Sequence, residues 1–223
     1  MIKLVDFQKQ YKHTAIYAPT NIVFPSNSIS FLMGKNGCGK TTLLKCIGML
    51  EGYSGEILFD GKHLPEVRNQ CMIIWDDSPC FHNLSGMQNL MILSDGHYSK
   101  KEIRQTADRY LDDSVLKRKV KSYSYGQRKK LMLILADLLK PTYLIMDEIS
   151  NGLDIDMMDS LASHLKDLKN HCTIILTGHQ FAFYEKIAEH IFVKNKTTIT
   201  EIPPDEYAVQ TLEEIYHAHT AQK

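Results

Sequence analysis

The chain opens with apolar and polar residues in alternation. "IKLVDF" (2–7), "NIVF" (21–24) and "SISFLM" (28–33) predict strands, with Pro25-Ser26-Asn27 as a polar turn before the third. "KTTLLKCIGML" (40–50) changes to helical spacing, and Gly52 and Gly55 follow as breakers. "GEILFDGK" (55–62) predicts a hairpin strand turned by Asp60-Gly61, and "CMIIW" (71–75) a strand running into a Pro-containing loop. Residues 87–117 are helical in character and rather polar. "TYLIMD" (142–147) and "CTIILTGH" (172–179) are continuous apolar runs, as in strands buried on both faces. Between them, Met158, Leu161, Leu165 and Leu168 give 155–169 the spacing of a helix, and Pro203-Pro204 sets apart a last helix, "TLEEIYHAH". This pattern describes a single α/β domain over 1–223 with a parallel core. A helical insertion falls at roughly 80–137 and a C-terminal helix at roughly 205–219.

One segment has two readings. "SYSYGQRKKL" (122–131) passes from a polar turn into a helix starting near Gly126. Either Ser122 or Ser124 simply caps that helix, or its N-terminus also faces an anion.

Composition narrows the class. Of 223 residues, 43% are apolar and 23% charged, ordinary for a globular protein that buries a proper core. The 26 basic and 26 acidic residues cancel, so no nucleic-acid partner is expected, and Arg128-Lys129-Lys130 and Lys117-Arg118-Lys119 read as solvated faces. Cys38, Cys46, Cys71, Cys80 and Cys172 are scattered without a C-x-x-C pair, which points to a reducing compartment. The opening lacks a hydrophobic signal region, and the longest apolar run, "LMLILADLL" (131–139), is interrupted by Asp137 and reads as a buried helix. Any service to a membrane is then performed from outside the lipid.

The chemistry begins at "GKNGCGKT", Gly34, Lys35, Asn36, Gly37, Cys38, Gly39, Lys40 and Thr41, with Thr42 next. It fits G-x-x-x-x-G-K-[ST] between a strand and a helix, where glycines let successive N–H groups wrap a phosphate. Lys40 is expected to neutralise β- and γ-phosphate charge and Thr41 to ligate Mg²⁺. Cys38 is a small residue that the loop tolerates, or a thiol open to modification. "YLIMDE" delivers Asp147 to the metal side and Glu148 one residue on, as general base for an attacking water. "TIILTGHQ" puts His179 at the end of another buried strand, placed to contact the γ-phosphate, while the other histidines read as surface residues. Asp154 in "SNGLD" either caps the following helix or lines an interface.

These motifs, in this order from Tyr11 to His179, resemble the ATP-binding cassette family, the nucleotide-binding subunits of ABC transporters. The resemblance implies a P-loop NTPase core, a mainly parallel sheet flanked by helices, with an N-terminal antiparallel β subdomain and an inserted helical subdomain. It implies ATP and Mg²⁺ as ligands, Tyr11 stacking on adenine, and His179 as the switch histidine. Ser124, Tyr125, Gly126 and Gln127 correspond to the signature motif, which acts in trans across a head-to-tail dimer of cassettes. Asp154 then lines that interface. The implied partners are a second cassette, identical or related, and transmembrane permease subunits contacted through the loop after Asp76 and the helices to about 117. The implied location is cytoplasmic, peripheral on the inner face of the cell membrane. The ending "TLEEIYHAH" is similar to exporter-type cassettes, which favours export.

Two departures stand out. Tyr123 and Tyr125 replace the leucine and first glycine of the usual Leu-Ser-Gly-Gly-Gln. Asp76, or Asp77 in the neighbouring register, stands where the family has a glutamine near metal and water, and aspartate is shorter, charged and without an N–H. Two other readings compete: an ABC ATPase without transport, and a GTPase or small-molecule kinase. The first usually carries paired cassettes or long coiled coils, absent here, and in the second "NKTT" (195–198) lacks the guanine-reading carboxylate. Replacing Asp76 by glutamine is expected to change the ATPase rate, its Mg²⁺ dependence or its coupling to transport. Steady-state phosphate release and transport unchanged in all three would overturn that expectation.

Overall fold

The computed structural model describes residues 1–77 and 79–220. Strands β1 (Ile2–Tyr11) and β2 (Thr14–Phe24) lead to β3 (Ile29–Gly34), and helix α1 (Lys40–Ile47) leaves the loop that follows. Next come β4 (Ser54–Phe59), the short α2 (Leu64–Val67) and β5 (Cys71–Ile74). A run of helices follows: α3 (Gly86–Leu93), α4 (Lys100–Ala107), α5 (Asp113–Leu116) and α6 (Tyr125–Leu139). The chain then alternates β6 (Tyr143–Met146), α7 (Ile155–Leu168), β7 (Thr173–Thr177), α8 (Phe181–Glu185) and β8 (His190–Asn195). It finishes with β9 (Thr198–Ile202), α9 (Pro204–Tyr207) and α10 (Leu212–Thr220).

These strands form two sheets. A six-stranded sheet runs β5-β6-β7-β3-β8-β9, parallel except for β9 at one edge. A three-stranded antiparallel sheet runs β2-β1-β4. The α/β class with a mainly parallel sheet and an antiparallel N-terminal sheet therefore holds. Continuous apolar runs become central strands because their two faces serve different cores. In β3, β6 and β7, Phe31, Leu144 and Ile174 pack with α6 and α7. Leu32, Ile145 and Ile175 instead pack with α1 and the antiparallel sheet. A period of two with both faces apolar is what such a position requires.

Local chemistry explains most helix starts. Ser85, Ser99 and Ser124 each cap a helix through a reciprocal capping box with Gln88, Glu102 and Gln127. Of the two serines considered for α6, Ser124 is the cap. The polar stretch 87–117 is three short helices, interrupted first where Asp95 and Gly96 adopt positive φ (53° and 70°).

Several expectations are corrected. Asp60 and Gly61 do form a tight turn (φ 47° and 82°), but the hairpin closes with one bridge, Phe59 to Lys62, before His63 caps α2. The partner of β4 is β1. The helix after the phosphate loop ends at its cap Gly48, before the predicted breakers. The second strand begins at Thr14 rather than Asn21, and β8 with β9 forms a hairpin whose turn is "NKTT".

Phe31 is completely buried and stacks on Tyr184 at 4.1 Å between centroids, with Phe181 edge-on at 6.4 Å. Tyr184 in turn donates to the Thr177 carbonyl at 2.7 Å, tying α8 to the end of β7. Phe31→Ala is expected to lower stability by about 3–5 kcal/mol, measured by urea unfolding. A loss below about 1 kcal/mol would mean that this stack closes over the vacancy without cost.

Candidate functional site

Strands β3, β5, β6 and β7 are parallel neighbours within one sheet, so their carboxyl ends open onto one edge. The phosphate loop follows β3, Asp76 follows β5, Asp147 and Glu148 follow β6, and His179 follows β7. Residues far apart in sequence meet there because the crossovers return every strand in the same direction.

The loop Gly34–Gly39 has an exposed tip at Lys35, Asn36 and Gly37, while Cys38, Gly39 and Thr42 are half-buried. Gly39 has φ 111°, and a Cβ there would lie 2.6 Å from Cγ2 of Ile16. The antiparallel sheet braces this point from below, as the Tyr17 hydroxyl donates to the Gly39 carbonyl at 2.8 Å. Beside it, buried Lys194 donates to the Ile16 carbonyl at 2.9 Å, with its ammonium 4.3 Å from the Tyr17 ring centre. Burial pushes the Lys194 ammonium down to about 8.

Lys40 turns back under the loop. Its Nζ donates to the Gly34 carbonyl at 2.8 Å and lies 3.4 Å from Nε2 of His179. The Thr41 hydroxyl donates to Asp147 Oδ2 at 2.8 Å, and the Thr177 hydroxyl donates to Oδ1 at 2.5 Å. Asp147 is only 4% exposed, so these two hydroxyls are what make its burial tolerable. Glu148 adopts a left-handed backbone (φ 52°) and points Oε1 at Nε2 of His179, 3.3 Å away. Its Oε2 is buried without a hydrogen-bond partner among the described residues. Burial raises the Glu148 carboxyl above the usual carboxylate range against the pull of Lys40. Burial also lowers the His179 imidazole, and Lys40 pushes it the same way. Lys40, Thr41, Asp147, Glu148 and His179 are thus brought together as one cluster.

A second cluster adjoins it. The Tyr125 hydroxyl meets both the carbonyl (3.0 Å) and Oδ1 of Asp76, and Lys129 Nζ reaches the same Oδ1 at 3.2 Å. Gly126 is pressed against the Gly152 carbonyl, which a Cβ would approach to 2.5 Å. Ser124 Oγ accepts from the Gln127 N–H at 3.1 Å, and Gln127 Oε1 accepts from the Ser124 N–H at 3.1 Å. Asp154 is a helix cap, accepting from the Met157 N–H at 2.8 Å. Tyr11 is exposed at the end of β1, with its hydroxyl on Glu51 and the Thr42 side chain, and Lys9 Nζ 4.3 Å from its ring centre.

Sequence reasoning missed three contributors. Lys129 was expected in solvent but is 1% exposed; flanked by Arg128 and Lys130, it carried no local signal that set it apart. Thr177 and Asn151 carried no separate signal, since only strand pairing brings them to Asp147 and Asp76. His164, also expected at the surface, faces the buried Asp137 carboxylate, which accepts from the Tyr110 hydroxyl at 2.9 Å.

The family model described as "ABC transporter" matches residues 18–151. The chain belongs to the ABC transporter family. It is therefore an ATPase of the ABC type, an ATP-binding subunit. This cassette is 28% identical to the lantibiotic transport ATP-binding protein SrtF of Streptococcus pyogenes, over 97% of the chain and 96% of that protein. It is 30% identical to the bacitracin transport ATP-binding protein BcrA of Enterococcus faecalis, over 90% of the chain and 68% of that protein. A solved structure titled "Structure of ATP binding subunit of ABC transporter" superposes with a TM-score of 0.85 at 20% identity, covering 98% of both chains. That likeness bears on the fold.

Because Gly39 combines a left-handed backbone with close contact to Ile16, Gly39→Ala is expected to weaken ATP binding about tenfold or more. Fluorescent-nucleotide titration with a matched unfolding curve measures this. Unchanged affinity would show that the loop geometry is not what holds the phosphates.

Proposed function

We propose that this cassette hydrolyses ATP in a head-to-tail pair with a second cassette and thereby drives a separate transmembrane permease, in the export direction. The observation that carries the reading is the meeting of Lys40, the Thr41–Asp147 pair and the Glu148–His179 pair at one sheet edge. Lys40 and the loop N–H groups hold the phosphates and stabilise charge as the γ-phosphoryl group departs. Glu148 accepts the proton of the attacking water, a task suited to a carboxyl raised by burial. His179, between Lys40 and Glu148, orients that carboxylate. Tyr11 offers its exposed ring to the adenine.

Thr41 and Asp147 present hard oxygen donors already 2.8 Å apart, a donor set that fits Mg²⁺. The bound ion would neutralise phosphate charge during transfer.

The in-trans role of the signature is supported by what it touches. Among the described residues, the side chains of Ser124, Tyr125 and Gln127 bond to Asp76 and to one another's backbone, not to residues 34–42. The capped N-terminus of α6, with Ser124 exposed, is free to meet the phosphate bound by another cassette. A permease partner fits a chain in which no described helix is long and apolar enough to cross a membrane. A place on the inner membrane face follows from that partner. The export direction leans on higher identity to the lantibiotic and bacitracin transport proteins (28% and 30%) than to an L-cystine import protein of Bacillus subtilis (23%), and on the resemblance of the ending "TLEEIYHAH" to exporter-type cassettes.

Ser124→Ala tests the pairing. Losing the cap costs about 1 kcal/mol, leaving the fold intact. Hydrolysis is expected to fall about a hundredfold while the isolated chain binds ATP unchanged. Loss of ATP binding by the monomer would contradict action in trans.

A further inference from the structure

Lys129, 1% exposed, is the most deeply buried charge at the Asp147–Glu148 strand end, and its environment is fully specified. Its three ammonium protons meet three acceptors: the Glu148 carbonyl at 3.0 Å, Asp76 Oδ1 at 3.2 Å and the Asp147 carbonyl at 3.4 Å. Two of these belong to the peptides on either side of the Glu148 Cα. Glu148 is one of nine non-glycine residues with positive φ among the described residues, a conformation that its surroundings must hold in place. From the β7 side the Glu148 N–H is held by the Thr177 carbonyl at 3.1 Å; Lys129 holds the opposite, carbonyl side.

Asp76 completes the arrangement. Its Oδ1 collects Lys129, the Tyr125 hydroxyl and the Asn151 side-chain amide at 3.4 Å. The Tyr125 ring lies where a Cβ on Gly152 would be, 2.3 Å from its Cδ1, so Gly152, at φ 72°, is the residue that lets the ring in. Burial lowers the Lys129 ammonium, and Asp76 is the main opposing influence.

From this geometry we infer that Lys129 is a positioning residue for hydrolysis: it fixes the left-handed turn that aims the Glu148 carboxylate, and Asp76 and Tyr125 anchor Lys129. Asp76 acts in this lock through Oδ1, as the counter-charge of Lys129. An aspartate at 76 and a tyrosine at 125 are then linked substitutions, since each is in contact with the other. The inference rests on the reading of Glu148 as the group that activates water.

The test is a double-mutant cycle in the full-length chain. Lys129→Gln is expected to lower kcat at least about tenfold, with KM and the ATP dissociation constant within about twofold of the parent. Asp76→Asn alone lowers kcat by a smaller factor. In the Lys129→Gln background, Asp76→Asn is expected to cost less than about twofold more, because its effect passes through the lysine. Losses that multiply independently, or a kcat unchanged by Lys129→Gln, would overturn the inference. If Lys129→Gln does not fold, as its urea unfolding curve would reveal, Asp76→Asn with Tyr125→Phe carries the same cycle, and independent losses again overturn it. Glu148→Gln separates the two levels. Hydrolysis surviving in that variant defeats the proposed function; hydrolysis lost there but untouched by Lys129→Gln defeats this inference alone.

Discussion

A carboxylate cannot be buried at the end of an apolar strand unless donors meet it there, and the Asp147 carboxylate is met twice. Thr41 comes from the helix after the phosphate loop and Thr177 from the end of the neighbouring strand, one on each oxygen. An unpaired charge in this position would cost several kcal/mol. The two hydroxyls therefore fix more than one side chain. They set the height of the phosphate loop against β6 and β7, and they leave Glu148, one residue on, to turn out of the strand toward His179.

That turn is where the fold becomes a site. The backbone at Glu148 is left-handed and clamped from both sides, by the end of β7 and by Lys129. The carboxylate it presents is surrounded by apolar structure and two cations of very different accessibility. Lys40 lies beneath the phosphate loop, and Lys129 is sealed behind the peptide. Both favour the ionised acid, whereas burial opposes it, and burial is the larger influence. A carboxyl held in that balance differs from a solvent-exposed glutamate of the same sequence context.

Much of the cluster at the sheet edge was legible because its sequence signals are local. The phosphate loop is a contiguous spacing between strand and helix, and an apolar run ending in Asp147-Glu148 announces a strand end. The capping boxes beginning at Ser85, Ser99 and Ser124 are likewise four-residue signals. What was misread depends on which strands pair. The strand β4 carries a turn suited to a hairpin, yet β1 offers a longer partner. The hairpin β8–β9 escaped because its turn, "NKTT", lacks the glycine that usually marks one.

By itself the sequence marked the residue types and spacings that the fold gathers at one sheet edge, and that two-faced apolar strands must lie at the centre of a parallel sheet. Those are properties of residue type and spacing. Only the tertiary structure decided the environment of Lys129. A lysine between two other basic residues reads as solvated, because nothing nearby in sequence offers it acceptors. Its three acceptors lie 18, 19 and 53 residues away, on two different strand ends. Burying an ammonium is favourable only when all three are in place at once, and that condition is met by packing, not by any local pattern.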